Sequence, residues 1–257
     1  GLQYFGARYY DPFVGRWTGK DRVGGTRNDP QSLNRYLYSF NNPLRKVDPD
    51  GNWSSDKHAD VHGEMTREFL FFPLYQFVKA TFPAKSASDQ RAAFSRYIGI
   101  VSDQGAYDKN AQAQNQQPQH AMRSEGTTRS EGIKKANAFV TGELNAAKQL
   151  WADGKYDNAM ERLMHATHTL QDATSPSHSG FQSLSGTYKS NPGGWGAHVA
   201  QELLMPSYGS EGYRDSRMAT EWGLDILTGR RNMPVSFFTQ EGTLDREAFD
   251  RGLKTQK

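Results

Sequence analysis

The chain has 257 residues, a net charge of +3 and no cysteine. That length suits one domain with an appendage rather than two full domains, and the missing cysteine excludes disulfides, thiolate catalysis and thiolate metal sites. The charge is too small and too evenly spread to read as a nucleic-acid footprint, although it is compatible with contact to anionic lipid or phosphate.

No apolar run reaches the ~18 residues of a membrane span, and no charged-then-apolar leader opens the sequence, so neither a span nor export by the general route is expected. Residues 1–52 are dense in Tyr, Arg, Gly, Asn and Asp-Pro steps, with no helical periodicity longer than a turn or two, which predicts short strands and turns. From Trp53 the pattern changes to amphipathic helix. Met65, Phe69, Leu70, Tyr75 and Val78 recur at helical spacing, with Pro73 expected to interrupt or kink the run. Ala92, Tyr97, Ile98 and Val101 predict a second helix. The Gln-, Asn- and Ala-rich stretch from Asn110 to Gln119, and the near-repeat of Arg123-Ser-Glu-Gly at Arg129-Ser-Glu-Gly132, predict a long loop.

Helix resumes through Ala138, Val140, Leu144 and Leu150, turns at Asp153-Gly154, and continues from Tyr156 to about Asp172 through Met160, Leu163, Met164 and Leu170. Tyr208, Trp222, Leu224, Ile226, Leu227 and the Phe237-Phe238 pair predict further helical packing, with a rim over the site. The expected fold class is all-α: a helical domain over residues 53–257 behind a β- and turn-rich segment over residues 1–52.

Without cysteine, any metal must be held by His, Asp, Glu or backbone atoms, so the seven histidines, His58, His62, His120, His165, His168, His178 and His198, decide the chemistry. His168 and Asp172 are one helical turn apart, which puts imidazole and carboxylate on one face. Pro176 is expected to end that helix and the turn after it to bring His178 back to the helix end. His198 and Glu202 form a second pair at helical spacing. A single His-x-x-x-Asp pair is usually a surface contact of about 0.2–0.5 kcal/mol. Two pairs, with a returning histidine beyond a Ser-Pro-Ser step that serves no packing purpose, point to a metal site instead.

Two resemblances follow. Tyr4-Phe-Gly-Ala-Arg-Tyr-Tyr-Asp-Pro12, Gly15-Arg-Trp17, Asn34-Arg-Tyr-Leu-Tyr38, Asn41-Asn-Pro43 and Asp48-Pro-Asp-Gly51 resemble, in order and spacing, the C-terminal end of the RHS-repeat-associated core, with Lys20-Asp21-Arg22 where a second Asp-Pro usually stands. His168-x3-Asp172-x5-His178 followed by His198-x3-Glu202 resembles the bacterial zinc-dependent phospholipase C family and, more distantly, the related zinc nucleases. That second resemblance covers about residues 53 to 205. It implies up to three zinc ions: one on Asp103, His120, His168 and Asp172; one on His178, His198 and Glu202; one on Trp53, whose freed α-amine and carbonyl would bind, with His62 and a bridging Asp172. His58 is the alternative to His62, and Asp108 competes with Asp103. His165 receives no role.

These likenesses imply phosphodiester hydrolysis, with Asp103 and Asp172 as catalytic candidates and Asp103 a possible general base. RHS cores resemble self-cleaving shells that cut just after an Asp-Pro-x-Gly-x tract. Asp48-Pro-Asp-Gly-Asn52 ends immediately before Trp53, so Asp48, Asp50 and Asn52 are cleavage candidates and autoproteolysis would arm the enzyme. The expected protein is therefore a secreted effector delivered into a target cell. Its expected partners are a phospholipid membrane surface as substrate, a cognate immunity protein and the RHS shell of its own chain. A zinc-dependent nuclease, which would take nucleic acid instead, and a non-enzymatic RHS shell tip are the alternatives. Glu202, where the nucleases usually have Asp, and the lack of a basic stripe lean towards lipid.

Overall fold

The computed structural model describes residues 1–5, 8–21, 30–41, 43, 46–47, 55–56, 61–104, 107, 114–175, 178, 180–183 and 210–254. Among the described residues strands are confined to the N-terminal part and the rest is mainly helical. β1 (Gln3–Tyr4), β2 (Tyr9–Asp11) and β3 (Arg16–Trp17) form an antiparallel meander, and β4 (Lys46–Val47) pairs antiparallel with β5 (Ser55–Asp56). The aromatic residues of the N-terminal tracts have a packing purpose. Trp17 is buried, with the rings of Phe5, Tyr10 and Tyr38 at centroid distances of 5.4, 5.7 and 5.4 Å. The Arg8 guanidinium lies 4.5 Å over Trp17 and pairs with Asp21 at 2.9 Å, so cation–π contact and ion pair hold one corner together.

Among the described residues six α-helices follow: α1 (Val61–Thr81), α2 (Ala87–Val101), α3 (Arg129–Ala152), α4 (Tyr156–Asp172), α5 (Glu211–Leu227) and the short α6 (Arg246–Arg251). α1 continues through Pro73 without ending there, so the proline does not interrupt the helix. A proline inside a helix costs ~3 kcal/mol. Leu70, Leu74 and Val78 on either side are fully buried and recover about 1.5–3 kcal/mol each, so burial outweighs the break.

The region expected to be one long loop is also partly ordered. Gln114–His120 is a 3-10 helix, tied down where Thr169 Oγ1 donates to the Gln119 carbonyl at 2.6 Å and the Tyr107 hydroxyl donates to Gln119 Oε1 at 2.7 Å. The two Arg-Ser-Glu-Gly copies diverge for a local reason. Thr128 stands three residues before Glu131 and closes a capping box, so the second copy opens α3. Met122, in the same position before Glu125, has no oxygen to cap with, and the first copy turns at Gly126 with φ of +78°.

α4 is the central helix, packed against α2, α3 and α5, and nearly everything on it from Leu163 to Asp172 is buried. Leu144, Met160, Leu163, Leu170, Trp222, Ile226 and Phe237 share one apolar core. α5 lies close against α4 at Gly223, where a Cβ would meet Leu163 Cδ1 at 2.9 Å. The C-terminal part thus supplies the expected helical packing, with α5 backing α4. Among the described residues no helix is long and apolar enough to cross a membrane.

Candidate metal centre

Asp172, the last residue of α4, is 1 % exposed, and four histidines from four places in the chain close on its carboxylate. His168, one turn earlier on the same face, brings Nε2 to 3.2 Å from Oδ2. His62, in the first turn of α1, brings Nε2 to 3.1 Å from Oδ1. His120 ends the 3-10 helix with Nδ1 3.0 Å from Oδ2, and His178, returning after α4, has Nδ1 3.5 Å from Oδ2.

Local backbone explains the two loop histidines. α4 stops at Asp172, ahead of the expected Pro176, which lies outside the described residues. Turn bonds from Ser175 N to the Asp172 carbonyl and from His178 N to the Ser175 carbonyl fold the chain back. Ala121 and Phe181, both fully buried, have φ of +49° and +52°. Left-handed backbone at a residue other than glycine costs about 1–3 kcal/mol and persists only where surrounding packing demands it. Here it reverses the chain just after each loop histidine.

Burial pushes the Asp172 carboxyl towards its neutral form. The attraction of His168, His178 and His62, with the hydrogen bond to His120, overcomes that, and the pKa lies well below the ordinary carboxylate range. The group at the centre of the cluster is therefore an anion with imidazole nitrogens turned onto both of its oxygens. The candidate ligand atoms of His62, His168 and Asp172 lie within 4.8 Å of one another, and His168 Nε2 and His120 Nδ1 are 3.1 Å apart. A buried, purely nitrogen and oxygen donor set of this kind fits a divalent transition ion such as zinc.

Of the residues picked from the sequence, His62, His120, His168, Asp172 and His178 come together. Asp103 does not: it is exposed just past the end of α2. The chain leaves the helix there with Ser102 bonded back to the Ile98 carbonyl, and it is the next residue, Gln104, that turns inward and meets His168. No spacing rule in the sequence marks Gln104. Trp53, His58, Asp108, His198, Glu202 and the cleavage candidates Asp48, Asp50 and Asn52 lie outside the described residues. His165 stands apart from the carboxylate, with Nδ1 2.9 Å from Glu143 Oε2 and its ring stacked on Tyr107 at 4.3 Å.

No family model matches the chain, and no solved structure matches it. Over 101 residues, 39% of the chain, it is 32% identical to the toxin subunit YenC2 of Yersinia entomophaga, of which the stretch covers 10%. Over 53 residues, 21% of the chain, it is 45% identical to the tRNA nuclease WapA of Bacillus subtilis (strain 168), of which it covers 2%. The toxin subunit YenC1 of Yersinia entomophaga is 43% identical over 51 residues, 20% of the chain and 5% of that protein. The matched stretches thus span a tenth or less of these relatives, and the likeness, partial as it is, is to toxin subunits and to a tRNA nuclease.

Proposed function

We propose that the chain is the C-terminal part of an RHS-type toxin and that its helical portion is a metal-dependent phosphodiesterase. One observation carries the enzymatic reading: a buried, ionised carboxylate with four imidazoles turned onto it. His62, His120, His168 and His178 would hold zinc, with Asp172 offering an oxygen to each side as a bridge. Trp53, His198 and Glu202 would complete the set. Zinc bound there supplies positive charge for the phosphate oxygens and lowers the pKa of water to about 7. The chain's own part is to orient the imidazoles, keep Asp172 ionised and exclude bulk water from its carboxylate. Asp103, exposed, is left out of this reading.

Two phosphodiester substrates are supported by different observations. Nucleic acid is supported by the relatives named as tRNA nucleases. Phospholipid is supported by the order and spacing of His168, Asp172, His178, His198 and Glu202. In either case the protein is a secreted effector acting in a target cell, neutralised at home by an immunity protein. A cut before Trp53, carried by Asp48, Asp50 and Asn52, would free the α-amine that a peptide nitrogen cannot replace as a ligand.

Zinc content by elemental analysis, then incubation with tRNA, single-stranded DNA and vesicles of phosphatidylcholine or phosphatidylethanolamine, tests the reading. Chelator-sensitive cleavage of nucleic acid selects the nuclease, and release of diacylglycerol selects the phospholipase C. A zinc-free chain inert on all of these would favour the non-enzymatic shell tip. N-terminal sequencing of the active protein tests the cut: a start other than Trp53 with activity intact removes it.

A further inference from the structure

Gln104 is fully buried and its two amide atoms face different neighbours. Nε2 lies 2.7 Å from Thr66 Oγ1 and 3.4 Å from the Val101 carbonyl, while Oε1 lies 3.2 Å from His168 Nδ1. A carbonyl oxygen only accepts, so the amide end beside Val101 must be the NH2 and the end beside His168 the oxygen. That oxygen, an acceptor too, requires a donor across from it. His168 therefore carries its proton on Nδ1. In a neutral imidazole this leaves the lone pair on Nε2, the nitrogen that faces Asp172 Oδ2 at 3.2 Å and His120 Nδ1 at 3.1 Å.

The amide is held in this sense from behind. The Thr220 hydroxyl donates to the Ser216 carbonyl at 2.6 Å, so Thr220 Oγ1 accepts from Gln171 Nε2 at 2.7 Å. Gln171 Nε2 also reaches Thr66 Oγ1 at 3.1 Å, the same oxygen that takes Gln104 Nε2. Thr66, Gln104, Gln171 and Thr220 are all at most 1 % exposed. A flip of Gln104 would set its oxygen against the Val101 carbonyl and its NH2 against His168.

We propose that Gln104 is a positioning residue for the metal centre: its Oε1 keeps the His168 proton on Nδ1 and so reserves Nε2 as the atom that binds a metal ion. The proposal rests on the metal reading above for its consequence, but the proton on Nδ1 stands on hydrogen-bond chemistry alone, whatever Nε2 carries towards Asp172 in the metal-free chain. Without the acceptor the proton is free to sit on Nε2, where it blocks the metal-facing position. Ligand histidines in general rely on such a partner, and losing it weakens metal binding by about 10–100-fold.

Long-range proton–nitrogen correlation spectra of the metal-free full chain read the tautomer, and chelator competition reads zinc affinity. The expected result is a protonated Nδ1 on His168 in the wild type. Zinc affinity should fall about 10–100-fold in Gln104→Leu. A wild-type His168 without a proton on Nδ1 overturns the proposal and needs no variant to fold. So does unchanged zinc affinity in a folded Gln104→Leu chain. A wild-type chain that binds no zinc overturns the metal reading and the consequence drawn from it, while the nitrogen spectra still decide whether Gln104 sets the tautomer.

Discussion

His62 Nε2 lies 3.1 Å from Asp172 Oδ1, so the first turn of α1 and the last residue of α4 meet on one carboxylate oxygen while His168, His120 and His178 crowd the other. Among the described residues, Asp172 is the group on which His62, His120, His168 and His178 all converge. Asp172→Asn keeps the size and removes the charge, and it should abolish zinc binding and phosphodiesterase activity together. Elemental analysis and turnover on the same preparation check this. Full zinc content with full turnover would remove the bridging role.

The ionisation of Asp172 sets an acid limb. Burial opposes the charge, and His168, His178, His62 and the His120 hydrogen bond more than offset it, so the folded pKa lies below the unfolded value of about 3.9. The unfolded chain then binds the proton first as pH falls. The stabilisation is whole above about 3.9 and is lost as pH drops from there through the folded pKa. In the metal-free protein the stability gap between wild type and Asp172→Asn should shrink over that window. Urea midpoints at a series of pH values measure it, and a gap that stays constant contradicts the assignment.

The α4–α5 contact is tight enough to be tested by one methyl group. In Gly223→Ala the new Cβ would meet Leu163 Cδ1 at 2.9 Å and Thr167 Oγ1 at 3.3 Å, both on buried residues. Alanine gains roughly 1 kcal/mol over glycine in a helix interior, whereas overpacking costs about 1–3 kcal/mol. Net destabilisation of about 1 kcal/mol is expected by chemical denaturation. A variant more stable than wild type would mean that the two helices separate without penalty.

His165 supplies the control. It sits one turn before His168 but is engaged by Glu143 and Tyr107 instead of Asp172. His165→Ala should leave zinc stoichiometry unchanged, whereas His168→Ala should reduce it. Equal loss of zinc in both would show that His165 belongs to the centre after all.

Much of the helical layout was legible in the sequence because helix formation is local. Apolar spacing located α1, α2, α3 and α4, and the His168/Asp172 pair shares a face by the geometry of a single turn. Sequence alone also excluded thiolate chemistry. What it could not decide depends on forces from elsewhere in the chain. Helix α1 continues through Pro73 because Leu70, Leu74 and Val78 are buried by other helices. His120 reaches Asp172 because Thr169 pins the Gln119 carbonyl and Ala121 takes a left-handed turn. Asp103 faces solvent and Gln104 faces His168 because the chain leaves α2 at Ser102, where helical periodicity no longer dictates direction. Residue types determined that a nitrogen and oxygen metal site was available. Tertiary packing decided which of those donors meet, since only packing brings α1, the 3-10 helix and the turn after α4 to one buried carboxylate.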